Sequence, residues 1–292
     1  IDFSESCTRR IINMSFVGHS ARKRFGQHWL RDDSVLEKIV AAAELRNSDR
    51  VLEIGPGRGA LTEKLLKSRA ELVHCIEVDL DLIAGLKKRF AENSRFTLRE
   101  GDALSVPLVH PDGLPVNKVV ANIPYNITSP LLERLIGRLG RAVEHHYEKL
   151  VLLLQKEVAD RILSLPGQSS FSAMSVRLQL LANCRSVCDV PPNSFSPPPK
   201  VHSKVIILEP FSSTESLGFD LGTRVEALVK TAFMSRRKKL KNTLIALMPL
   251  NELETLAHGQ GISLDQRPQE IAPFKWVQLA KSLKNRSEIK KR

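Results

Sequence analysis

The chain has 292 residues, 42% apolar and 26% charged, with 44 Lys and Arg against 32 Asp and Glu for a formal net charge of +12. That apolar content excludes a disordered chain, and no apolar run approaches the roughly 18 residues of a membrane span. The cationic excess favours a polyanionic partner, nucleic acid before others. Cys7, Cys75, Cys184 and Cys188 show no framework spacing, so reduced thiols in a cytosol-like compartment are expected. Cys184 and Cys188 with nearby His202 lack the second ligand pair of a zinc site, so no metal is expected.

Residues 1–21 carry no apolar core of the kind a secretory signal needs and read as a poorly ordered extension, with Met14 as an alternative start. Residues 31–46 place Val35, Ile39, Ala42 and Ala43 at helical spacing, with N-cap candidates at Asp32 to Ser34. Then the period changes. Arg50 to Ile54 reads as a buried strand, followed by the glycine-rich GPGRG and a helical ALTEKLLKSR. Further strands are expected at Leu72 to Val78, Arg95 to Glu100, Lys118 to Ala121 and Val151 to Leu154, with a helix over 80–92. Strands alternating with helices imply an α/β fold with a parallel sheet covered on both faces. Residues 189–200 (DVPPNSFSPPPK) are too rich in proline for regular structure. A strand is expected over Ser203 to Leu208, then a polar linker FSSTESLG, then helix throughout 220–292.

Gly55, Gly57 and Ala60 satisfy G-x-G-x-x-G/A after the first strand, where backbone amides approach a ligand closely. Glu77 ends the next strand 22 residues after Gly55, placed to accept from ribose hydroxyls. The glycines alone serve nicotinamide enzymes and methyltransferases equally. Glu53, just before the turn, and Asp102, in Gly101-Asp102-Ala103 after the third strand, move the reading to S-adenosylmethionine, since Asp102 can accept from an adenine amine. Asp102 as a mere turn cap is the competing reading.

Asn122-Ile123-Pro124-Tyr125 follows the fourth strand, at the sheet edge where parallel folds place their ligands. An exocyclic amine conjugated to a ring is a poor nucleophile. The Asn122 amide oxygen and a free Pro124 carbonyl would accept both of its hydrogens and favour a pyramidal nitrogen. Tyr125 offers a face for a flipped base, and Phe195, in the proline-rich loop, is the candidate for the second stacking wall. Arg236, Arg237, Lys238, Lys239 and Lys241 read as adjacent positions around a helix with no acid nearby; with Arg22, Lys23 and Arg24 they form an expected phosphate-binding rim, and the tail KNRSEIKKR adds diffuse charge.

The stretches RKRFGQHWL, LEIGPGRGALTEKLL, GDAL, ANIPYNITSPLL, FSPPPKVHS, FMSRRKKLKNTL and GISLDQRPQEI closely resemble the KsgA-type ribosomal RNA small-subunit adenine dimethyltransferases, in their cyanobacterial form. The resemblance implies a Rossmann-like class I methyltransferase domain over 22–210 with a mostly parallel seven-stranded sheet, and a small all-helical RNA-binding domain over 217–292. It implies cofactor contacts at His28, Leu30, Gly55, Glu77, Asp102 and Asn122. His28 is often Asn in relatives, and the usual Leu of N-L-P-Y is Ile123 here. It further implies dimethylation of two adjacent adenosines near the 3′ end of 16S rRNA in the small ribosomal subunit, by a monomer in the cytoplasm (a plastid or related organelle being the alternative). Two other functions stay open: a 23S rRNA adenine methylase of the erythromycin-resistance type, and a non-catalytic ribosome assembly factor. A nicotinamide oxidoreductase would need a substrate-domain acid/base that is not found.

Overall fold

The computed structural model describes residues 28–141, 143, 147–212 and 217–287, with side chains described as far as 283. The extension over 1–21, the Arg22, Lys23 and Arg24 cluster, part of the linker and the tail side chains lie outside the described residues. The chain forms two compact units, the described parts of 1–135, 145–156 and 185–209 in one, and of 136–144, 157–184 and 210–292 in the other. The units are interleaved in sequence, whereas composition points to a single break near 210.

In the first unit a two-residue strand β1 (Trp29–Leu30) precedes helix α1 (Asp33–Ala43). Asp32 caps that helix by accepting from the amides of Ser34 and Val35. Strands β2 (Arg50–Ile54), β3 (Leu72–Glu77), β4 (Phe96–Glu100), β5 (Lys118–Asn122) and β6 (Lys149–Gln155) alternate with α2 (Ala60–Lys67), α3 (Leu80–Arg89) and α4 (Thr128–Ile136). Helices α5 (Lys156–Leu163) and α6 (Ala173–Gln179) follow in sequence and, but for Lys156, belong to the second unit; β7 (Ala182–Val190) leads back into the first, which also holds β8 (Phe195–Ser196) and β9 (Ser203–Pro210). The seven-stranded sheet has the order β4-β3-β2-β5-β6-β9-β7. Its first five strands pair in parallel and β9 runs antiparallel to β6. The central strands β2, β3, β5 and β6 are almost wholly buried along their length, as a sheet covered on both faces requires.

Four expectations need correction. The proline-rich stretch is not free of regular structure: it begins in the end of β7, and Phe195–Ser196 pairs antiparallel with β1. Only two of its residues enter that ladder, so the prolines around them need donate nothing. Strand β7 itself, ANCRSVCDV, has small and polar residues in place of a clear alternation. The stretch 156–179 holds two helices not foreseen. The C-terminal segment is not helical throughout but breaks into α7 (Phe219–Phe233), α8 (Leu240–Leu244), α9 (Leu250–Gly259) and α10 (Pro273–Ser287). In that second unit, Leu228, Val229, Leu240, Leu253, Ile271 and Trp276 share one apolar core.

The amino-end edge of the sheet is closed by a buried ion pair. Lys118 Nζ lies 2.8 Å from Asp49 Oδ2 and donates to the carbonyls of Ala43 (3.0 Å) and Glu44 (2.8 Å), orphan acceptors at the end of α1. Burial pushes the Asp49 carboxyl up, but Lys118, the Arg46 amide and Asn117 outweigh it and hold the group below its ordinary value. Replacing Lys118 with Met strands a buried carboxylate and two carbonyls, and urea unfolding at pH 7 should register a loss of about 3 kcal/mol.

Candidate active site

The strand order reverses at β2: β3 and β4 lie on one side of it and β5 on the other. Loops leaving β2 and β5 therefore part, and a crevice opens at the carboxyl edge between them. A cavity of about 310 Å³ occupies this edge, lined by His28, Gly55, Gly57, Glu77, Asp102, Asn122, Pro124 and Tyr125 with apolar walls at Trp29, Ile76, Val78 and Ile123. That volume is at the lower end for small-molecule sites.

The glycine turn is shaped by steric need. Gly57 sits at φ +58°, and a Cβ there would lie 2.8 Å from Trp29 Cδ1. Trp29 is covered in turn by the Arg58 guanidinium, 4.0 Å from the ring centroid. Glu77 Oε2 accepts from the Gly57 amide at 3.2 Å, and Oε1 accepts from Val78 and Asp79 at 2.9 Å each. Burial raises the Glu77 carboxyl above its ordinary value, opposed by these three amides. Glu77 lines the cavity, and one acceptor position on Oε2 is left for a hydroxyl there.

Behind the turn, Glu53 is buried beneath α2, where Thr62 Oγ1 donates to it at 2.7 Å. Desolvation dominates, with Glu77 adding like-charge repulsion, and its pKa is raised to about 7. Glu53 therefore supports the turn from within the sheet, outside the cavity lining.

Asp102 is both turn cap and pocket wall: Oδ1 accepts from the Leu104 amide at 2.8 Å, leaving Oδ2 for a ligand. Arg134 of α4 pins the same loop by donating to the carbonyls of Ala103 (2.6 Å) and Val106 (2.5 Å).

Asn122 Nδ2 donates to the His28 carbonyl at 3.1 Å, which fixes the amide and leaves Oδ1 as its acceptor. The Pro124 carbonyl is not free, since the Ile127 amide donates to it at 3.1 Å in the short turn Tyr125–Ile127; only its second lone pair is available. Tyr125 stacks against His28, ring centroids 5.8 Å apart and planes at 27°. His28 Nδ1 donates in turn to the Pro197 carbonyl at 2.9 Å.

Leu30 and Phe195 are not brought to the cavity. They face each other across the β1–β8 pair and are buried in the apolar core, 6% and 1% exposed. Strand alternation gives the reason: with Leu30 turned inward, its neighbour Trp29 turns to the ligand. Trp29 went unread in the sequence, although its place beside Leu30 in a short strand was the available signal. The basic segment also differs from expectation. Arg236 to Lys239 lie in the turn between α7 and α8 and Lys241 in α8, and an acid is close by: Asp265 lies 2.9 Å from both Lys239 and Lys241.

This fold and pocket define a Rossmann-like methyltransferase. A sequence model of the family described as ribosomal RNA adenine dimethylase matches residues 18–285. The chain is similar to two proteins of Prochlorococcus marinus strains named ribosomal RNA small subunit methyltransferase A. One is 66% identical, covering 94% of this chain and 98% of the relative, and the other 67%, covering 96% and 100%. Among solved structures it resembles a dimethyladenosine transferase from Plasmodium falciparum (TM-score 0.77, 28% identity, 89% of this chain and 98% of that one). It also resembles the 23S rRNA methyltransferase ErmE (TM-score 0.68, 25% identity, 88% and 99%). The chain belongs to the ribosomal RNA adenine dimethylase family and is an enzyme of that class, with S-adenosylmethionine as methyl donor.

Gly57→Ala adds a Cβ at positive φ against Trp29, so equilibrium dialysis should find donor affinity reduced at least tenfold. Glu53 offers a pH test. Its folded pKa of about 7 exceeds the ordinary 4.5, so the folded state holds the proton more tightly than the unfolded state. The associated stability is whole below pH 4.5, declines between 4.5 and about 7 and is absent above. Glu53→Gln keeps the Thr62 acceptor without the charge. Denaturant titrations should show it flattening this decline and exceeding wild type at pH 8 by about 1–3 kcal/mol.

Proposed function

We propose that the chain transfers two methyl groups to each of two adjacent adenosines near the 3′ end of 16S rRNA in the small ribosomal subunit. It acts as a monomer in the cytoplasm. The observation that carries this reading is the orientation of Asn122: its Nδ2 donates one hydrogen bond to the His28 carbonyl, which leaves Oδ1 as the acceptor of a side chain that lines the cavity beside Pro124 and Tyr125.

S-adenosylmethionine supplies an electrophilic methyl on a sulfonium centre. Gly55 and Gly57 would bring main chain against the donor, Glu77 would accept from its ribose, and Asp102 Oδ2 from its adenine amine. Leu30 offers only its main chain. On the acceptor side, Asn122 Oδ1 and the second lone pair of Pro124 accept from the target amine and turn its nitrogen lone pair out of conjugation. Tyr125 stacks the flipped base, worth about 1–3 kcal/mol. No general base is needed, because the alkylated nitrogen is cationic and loses its proton readily to water. Phe195, sealed in the core, would act only by supporting β1 beneath Trp29.

In the second unit, Lys239 and Lys241 share Asp265, whereas Arg237 and Lys238 have no acidic partner among the described residues and are exposed. They supply phosphate contacts that place the RNA without reading its sequence. The names of the cyanobacterial relatives support the small subunit over 23S RNA, and the intact Asn122 and Tyr125 support catalysis over a purely assembly role.

Labelled methyl transfer from S-adenosylmethionine to under-methylated small subunits tests the proposal. Dimethyladenosine should form at two neighbouring 16S positions, with Asn122→Ala slower by about 100-fold, the scale of a misplaced reacting group. Label in 23S RNA would assign the other substrate class, and binding without transfer would leave an assembly factor.

A further inference from the structure

Ser203 opens β9 and is fully buried, with its Oγ 2.6 Å from the Tyr125 hydroxyl. The topology puts it there. Strand β9 runs antiparallel to β6, and Ser203 lies opposite Gln155, two residues beyond Leu153, which pairs with Asn122. The reversed strand thus begins where the parallel strands end, and its first residue reaches the catalytic tetrapeptide from the β6 side.

The ring of Tyr125 is held at two points by one stretch of chain. Its hydroxyl meets Ser203, and one face meets the His28 imidazole, which is tied by Nδ1 to the Pro197 carbonyl. Pro197 and Ser203 are six residues apart. With His28 on one face, a planar ligand stacks on the other. A phenol without its tether still presents that face, but the ring tilts about its side-chain torsions, and a stacked base tilts with it.

We propose that Ser203 is a positioning residue for methyl transfer: by fixing the tilt of the Tyr125 ring, it sets the direction in which the target amine faces Asn122 Oδ1. The proposal rests on Tyr125 stacking the target base, as in the function proposed above. Ser203→Ala and Tyr125→Phe remove the same hydrogen bond from its two ends, so their effects should not add.

The test compares Ser203→Ala, Tyr125→Phe and the double variant in methyl transfer to under-methylated small subunits. Each single variant should lower kcat about tenfold, equivalent to about 1.4 kcal/mol. KM for donor and RNA should change less than about twofold, since the stacking face survives. The double variant should be no slower than either single one, and Ser203→Thr, which keeps the hydroxyl, should recover most of the rate. A second readout is independent of activity. The chain has only two tyrosines, Tyr125 and Tyr147, so carbon-13 labelling at tyrosine Cζ gives two resonances. Ser203→Ala should move that of Tyr125 and leave that of Tyr147. Wild-type kcat in Ser203→Ala, multiplied losses in the double variant, or an unmoved Tyr125 resonance would each overturn the proposal. An inert wild type with a moved resonance would sink the methyl-transfer reading while keeping the tether.

Discussion

Five parallel strands end at one edge of the sheet, and most of the polar groups of the cavity hang from that edge, His28 before β1 being added from outside it. Parallel pairing forces the carboxyl ends of β2, β3, β4 and β5 into register, so Gly55, Glu77, Asp102 and Asn122 converge although 67 residues separate the first from the last. The reversal of order at β2 then opens the crevice between the glycine turn and the Asn122 loop. Side-chain chemistry selects what binds there, but strand order makes the space.

The two edges of the sheet use burial in opposite ways. At the amino end, Asp49 and Lys118 are both nearly inaccessible, 3% and 5% exposed in their side chains, and each is saturated with partners. Attraction there outweighs desolvation. At the carboxyl end, desolvation dominates at Glu53 and Glu77, and both carboxyls rise above their ordinary values. Such groups take hydrogen bonds readily because water no longer competes for them. A closed ion pair stabilises the scaffold at one edge; at the other, Glu77 lines the cavity with one acceptor position left, while Glu53 stays behind the turn.

The two units differ in the charged groups they present. The first carries a cavity whose acids, Glu77 and Asp102, are held by main-chain amides. The second presents, between α7 and α8, a turn whose cations are only partly neutralised by Asp265, itself held at about 2 by Lys241 and Lys239. A methyl donor needs a fitted pocket, whereas a phosphate backbone needs only positive charge at a suitable spacing. The exposed Arg237 and Lys238 of that turn are the cations that the proposed phosphate contacts would use.

Much was legible in the sequence because it was local. Periodicity located β2 to β6 and helices α1 to α3, and the glycine fingerprint and Asn122-Ile123-Pro124-Tyr125 each located one wall of the cavity; each depends on neighbours within a few residues. The rest depended on partners far along the chain. Leu30 is expected to touch the cofactor and Phe195 to stack the base, but the β1–β8 pair, 165 residues apart, turns both inward and sets Trp29 in the cavity wall. Asp265 meets Lys239 and Lys241 only because α8 and the loop before α10 fold together, and Ser203 meets Tyr125 only because β9 runs against its neighbour. Sequence fixes which residues can do the chemistry, through side-chain type and local period. Tertiary structure decides which of them face the ligand, because orientation follows from pairing and burial that no local pattern encodes.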